Sequence, residues 1–109
     1  MILIVSKYLV PNGYRGLTVF PFVFLKQRES VADAVLLNHE KIHLRQQLEL
    51  LVLPFFVWYS LEFLWHFLRG KDVKSAYYSI SFEREAYANE KDLHYLKQRS
   101  FWYFLNYCN

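Results

Sequence analysis

The rhythm of apolar and polar positions changes along the chain. Residues 1–10 are dense in Ile, Leu and Val, and Pro11-Asn12-Gly13 then interrupts the run, with Gly16 extending the loop. Residues 17–27 are again rich in β-branched and aromatic side chains (Thr18, Val19, Phe20, Phe22, Val23, Phe24). Two extended runs around a turn predict a β-hairpin or a pair of edge strands over residues 1–28. Proline cannot donate to a ladder, so Pro21 places the second strand at an edge or at a bulge.

From Val31 the apolar period becomes helical. Val35, Leu36, Ile42, Leu50 and Leu51 recur at that spacing with no breaker before Pro54, which predicts a helix over 31–53. Ser30 is its N-cap candidate, with Asp33 in the first turn. A second, strongly apolar helix is expected over 54–69, stopped by Arg69-Gly70. A third is expected over 82–99, capped by Ser81, because residues 84–99 hold neither Pro nor Gly. The aromatic tail after Phe101 gives no clear period. The pattern describes one mostly helical α+β domain over 1–109.

Composition sharpens this picture in three ways. Hydrophobic residues make up 54% of the 109 positions and aromatics 20%, with only three Gly and three Pro, which favours long helices over many short strands. Residues 50–68 approach the length of a bilayer span but are interrupted by Glu62 and His66. Trp58, Tyr59, Trp65 and Phe67 suit a membrane interface, so this stretch reads either as a membrane contact or as a helix in an unusually aromatic core. The net charge of +3 is scattered apart from Arg69, Lys71 and Lys74, which fits an anionic membrane surface or a solvated face. Without a basic helix face, nucleic acid is not an expected partner. The single cysteine, Cys108, excludes a disulfide framework. Residues 1–5 have no basic leader or cleavage site, so no signal peptide is expected. A cytoplasmic or membrane-associated chain is expected, not a disulfide-dependent secreted one.

The candidate chemistry lies in the first helix. His39-Glu40-Lys41-Ile42-His43 reads H-E-x-x-H. Four residues is about one turn, so both imidazoles project from one face, where they can ligate one tetrahedral Zn²⁺. Glu40 is offset around the helix, beside the metal position and within reach of a proton on activated water. Gln46 lies one turn beyond His43 on that face, placed for a supporting hydrogen bond, while Arg45 and Gln47 read as surface. A zinc site of this type takes a third protein ligand. Glu83, with Ala86 three residues on, and Glu85, with Ala88 and Asn89, each offer a carboxylate with a small residue one turn later. Residues two apart face different ways, so only one of them can serve.

His39-Glu40-x-x-His43 followed by a Glu on a later helix resembles the gluzincins, the thermolysin-like zinc peptidases, whose third ligand sits in an E-x-x-A-D or E-x-x-x-D pattern. The longer string ending in Gln46, with Phe82-Glu83-x-Glu85-Ala86-Tyr87 downstream, also resembles a group of small bacterial membrane-associated proteins of the zincin-like class. The size is similar to that of the minigluzincins. This resemblance implies His39, His43 and Glu83 as zinc ligands and Glu40 as general base. It prefers Glu83 to Glu85 through the Phe-Glu-x-x-Ala arrangement. It departs from the family where Tyr87 stands in place of the Asp that supports a ligand histidine.

The resemblance further implies a peptide or protein substrate, hydrolysed as zincins do and adding as a strand to an edge formed by residues 17–27. Tyr77, Tyr78, Tyr87, His94 and Arg84 are the candidates for stabilising the oxyanion. Two other readings stand beside a zinc metallopeptidase. One is a catalytically silent sensor or binding module of the same fold. The other is a structural membrane-interface protein with a chance motif.

Overall fold

A computed structural model describes residues 1–108. Its three short strands, β1 (Ile2–Val5), β2 (Gly16–Val19) and β3 (Phe22–Leu25), form one sheet in the order β1-β3-β2. The hairpin lies inside the second extended run, not between the two runs. β2 and β3 are antiparallel, with Val19 opposite Phe22, and the Phe20-Pro21 pair makes the turn. The reason is Pro21 itself: lacking an N–H, it sits where no ladder bond is needed. β1 joins β3 in parallel, Ile2 opposite Phe22, so β2 is left as an edge strand.

Among the described residues the helical half has five α-helices: α1 (Ala34–Leu50), α2 (Val52–Leu68), α3 (Val73–Ser79), α4 (Ser81–Asn89) and α5 (Tyr95–Gln98). Asp33, not Ser30, caps α1: its carboxylate accepts the Leu36 N–H, while Ser30 belongs to a preceding 3-10 turn. The first two helices meet at Leu51, whose φ of 67° reverses the chain by 111° without a linker. Pro54 therefore does not separate them. It sits in the first turn of α2, where a missing N–H costs nothing. Ser81 does not cap α4; its N–H and hydroxyl both go to Glu62 at 2.6 Å.

The helix expected over 82–99 is broken in two. After Asn89 the side-chain amide of Asn38 donates to the carbonyls of Asn89, Glu90 and Asp92 at 3.4, 2.8 and 2.9 Å. A partner from α1 thus takes the carbonyls that helix continuation would have used.

The core is aromatic. Leu50, Phe55, Ile80, Phe82 and Phe104 are buried together, with Trp58, Tyr59 and Phe63 packed against them. The Phe82 ring lies 4.5 Å from Phe55 and 4.6 Å from Phe104, centre to centre. The inner face of α2 is thereby committed to the protein interior. No single helix among the described residues is long and apolar enough to cross a membrane. Cys108 is a free thiol.

Candidate metal centre

α1 and α4 pack closely because Ala86, one turn from Glu83, is small and fully buried. This brings Glu83 against the two histidines. The His39 and His43 Nε2 atoms are 3.2 Å apart, and Glu83 Oε1 lies 3.2 Å from the first and 3.1 Å from the second. All three side chains are buried, and their ligand atoms form a group able to hold a metal ion. Tetrahedral zinc with bonds of ~2.0 Å separates its ligand atoms by about 3.3 Å, close to each edge of this triangle.

The protons decide the chemistry of the cluster. His39 Nδ1 faces a Glu90 carboxylate oxygen at 2.8 Å, and His43 Nδ1 faces the Gln46 carbonyl oxygen at 2.8 Å. The Gln46 amide cannot be turned round, because its nitrogen donates to Phe82 O at 3.2 Å and to Glu85 at 2.9 Å. Both partners of the imidazoles are acceptors, so each Nδ1 carries the hydrogen and each Nε2 presents a lone pair. Two lone pairs and a carboxylate oxygen therefore converge with no donor among them. Such a set calls for a cation. In the metal-free protein a proton fills that role: burial opposes charge on His43, but the Glu83 and Glu40 carboxylates outweigh it and lift its pKa to about 9. Burial likewise opposes a charged Glu83, yet His43 and His39 hold its carboxyl far below the usual range.

Glu40 is close by but turned to the sheet. Its Oε1 accepts the Thr18 hydroxyl at 2.6 Å, and its Oε2 lies against Gly16. A Cβ on Gly16 would stand only 3.1 Å from Oε2, so β2 approaches the carboxylate this closely because it carries no side chain there. Gln47, expected at the surface, is 1% exposed. Its amide donates to Thr18 O at 2.7 Å and accepts the Phe20 N–H at 2.6 Å, tying α1 to the outer edge of β2. The register explains the difference: Val19 pairs with Phe22, so Thr18 O and Phe20 N point away from β3 and need another partner.

Tyr59 on α2 donates to Glu83 Oε2 at 2.7 Å, which leaves Oε1 for the histidines. Burial and the Glu83 charge push the Tyr59 phenol far up, so it remains a donor. Glu85 points to the opposite side, where it is fully buried. It binds Arg99 in a close ion pair and accepts the Tyr95 hydroxyl at 2.6 Å. Arg99 also meets Glu49 at 2.6 Å.

The triangle opens into a cavity of about 320 Å³, walled by Leu17, Phe55, Phe56, Phe63 and Tyr77 beside His39, Glu40 and His43. A smaller one of about 230 Å³ shares His39 and Glu40 and reaches Tyr78 and Tyr87. The oxyanion candidates therefore separate. Tyr77 lines both cavities, with its hydroxyl 3.1 Å from that of Tyr87, whose ring packs on His39 at 4.4 Å. His94 is exposed and lines neither, and Arg84 donates to the Tyr107 carbonyl at 2.6 Å. The sequence alone gave Thr18, Gly16, Tyr59, Asn38 and Glu90 no part in the site. Of these, only a threonine and a glycine in an otherwise apolar strand gave any signal. Glu90, seven residues after Glu83, places a carboxylate at His39 Nδ1, where the resemblance expected one from position 87.

No family, curated protein or solved structure matches this chain.

Proposed function

We propose that this chain is a zinc-dependent metallopeptidase, with His39, His43 and Glu83 as ligands and Glu40 as general base. The observation that carries this is the convergence of two imidazole lone pairs and a carboxylate oxygen at zinc spacing, with a second carboxylate, that of Glu40, standing beside them. Zinc, when bound, supplies Lewis acidity: it makes water acidic near neutral pH and polarises a carbonyl.

The chain's own groups provide the rest. Thr18 occupies Oε1 of Glu40, so Oε2 is the oxygen that takes the proton from the attacking water and passes it to the leaving amine. The Tyr77 phenol is raised by burial and the Glu83 charge, stays protonated, and lines the cavity next to Glu40, so it is the donor for the developing oxyanion. The substrate is a peptide or protein segment. Gly16 and the Thr18 N–H of β2 face away from β3 beside Glu40, an edge that an extended peptide can join. Gln47 closes that edge at Thr18 O and the Phe20 N–H.

Elemental analysis of the purified chain tests the metal, and a mixed-sequence peptide library read by mass spectrometry tests the reaction. About one zinc per chain with chelator-sensitive cleavage supports the reading. A chain unable to take up zinc ends it.

A further inference from the structure

The outward face of α2 is anomalous for a surface helix. Leu53, Val57, Leu61, Leu64, Trp65 and Leu68 are between 48% and 75% exposed. At about 100° per residue they fill an arc of about 120°, with Ser60 as the polar residue at its margin. A helix on the surface of a water-soluble domain turns its charged residues to that side. Here the one acid of α2, Glu62, is turned inward instead, its oxygens accepting Trp58 Nε1, Ser81 N and the Ser81 hydroxyl at 2.6 Å each. Between Val52 and Leu68 none of the positions of that arc is a charged residue. A shallow groove between Trp58 and Trp65, lined by Leu53, Pro54, Val57, Leu61 and an edge of the hydrogen-bonded Glu62, runs along it.

Charge returns only where the helix ends. Arg69 stacks on the Trp65 ring at 5.3 Å, and Lys71 follows, its ammonium 3.0 Å from the Ser79 hydroxyl. The nearby acid, Asp72, is engaged as the cap of α3. An uncharged apolar face bounded by a tryptophan and cations is the arrangement that suits the boundary between acyl chains and anionic headgroups. A second copy of the chain would bring the same face and the same cations, leaving Arg69 and Lys71 without counter-charge.

We infer that the outer face of α2 docks on an anionic lipid bilayer, with Leu53, Val57, Leu61, Leu64 and Leu68 in the acyl region and Arg69 and Lys71 at the phosphates. The helix lies in the plane of the surface and does not span it, since its other face is packed in the aromatic core. This docking is independent of the metal centre. It sets α2, which also supplies Phe55, Phe56 and Phe63 to the cavity at the histidines, between the bilayer and the site.

Sedimentation of the full chain with vesicles tests it, using phosphatidylcholine alone and phosphatidylcholine with phosphatidylglycerol. The chain is expected to pellet with the phosphatidylglycerol vesicles and far less with the neutral ones. Leu61→Glu with Leu64→Glu, both at exposed positions, should weaken pelleting about tenfold or more with an unchanged circular dichroism spectrum. Arg69→Glu with Lys71→Glu should abolish the preference for phosphatidylglycerol, so the inference does not hang on the first variant folding. Three results overturn it: a chain that stays in solution with both vesicles, a Leu61/Leu64 variant that pellets like wild type, or a dimer without lipid that Leu61→Glu dissolves.

Discussion

His43 and Gln46 lie one turn apart on α1, with the imidazole Nδ1 2.8 Å from the Gln46 carbonyl oxygen, and that contact orients a proposed zinc ligand from behind. Gln46 is fully buried and anchored by Phe82 O and Glu85, so it holds both the tautomer and the plane of the ring. Gln46→Leu keeps the volume and removes the acceptor. Zinc affinity should then fall about 10- to 100-fold while the helical content is unchanged. Competition against a chromogenic chelator measures this, and an unaltered affinity would deny Gln46 its role.

The two acids of α4 should fail in different ways. Glu83→Ala removes a proposed ligand, so zinc should be lost from the purified chain. Glu85→Ala should keep zinc but destabilise the fold, because Arg99 then faces only Glu49 in a buried site. Breaking such a pair costs about 3–5 kcal/mol, and the surviving Glu49 contact puts this case near the lower end. Elemental analysis and urea unfolding side by side separate the two. Loss of zinc in Glu85→Ala alone would reverse the assignment.

What the residues revealed and what they hid follows from the range of the forces involved. His39, Glu40 and His43 were legible because one helix fixes their relation, and no tertiary contact is needed to know it. Glu83 and Glu85 stayed open because both have an alanine one turn later. What separates them is that Ala86 is buried against α1 and Ala88 is exposed, a property of packing alone. Gln47 looked like surface because its partners, Thr18 O and Phe20 N, exist only once β2 has become an edge. The break after Asn89 was invisible for the same reason, since Asn38, fifty-one residues earlier, ends the helix. The α+β class and its mostly helical character came through because they rest on periodicity. Strand pairing did not, since Pro21 could equally mark an edge, a bulge or a turn.

Glu40→Gln preserves shape and the Thr18 contact but cannot take a proton. If hydrolysis proceeds as proposed, the rate should fall on the order of 10²- to 10⁴-fold. Zinc content should not change, because Glu40 is not in the ligand triangle. Retained cleavage by this variant would move the base elsewhere.

Gly16 offers a subtler test of the same oxygen. Its backbone does not need glycine, so alanine brings only a methyl, placed 3.1 Å from Glu40 Oε2 and 3.4 Å from Phe24 O. The flexible carboxylate yields more readily than the strand, so Oε2 should shift by a few tenths of an ångström. The expected result for Gly16→Ala is a drop in kcat on the order of tenfold, with zinc and thermal stability close to wild type. A loss of stability without a change in kcat would mean that the strand, not the base, had moved.

Acidity links the site to the proposed metal. His43 in the metal-free protein has a pKa raised to about 9, above its unfolded value of ~6.5. The stability it contributes through Glu83 is therefore complete below pH ~6.5 and is lost as pH rises through about 9. Glu83 is depressed, so its contribution is present above pH ~4.3 and disappears only in stronger acid. Zinc needs the neutral imidazole and must expel that proton. Its affinity should thus rise about tenfold per pH unit between pH ~6.5 and about 9, where it levels off. Calorimetric titration in two buffers of different ionisation heat counts the released protons directly. About one proton per zinc at pH 7 is expected. If none is released there, and the metal-free chain is equally stable at pH 6 and pH 9, the converging lone pairs are not holding a proton in place of a metal.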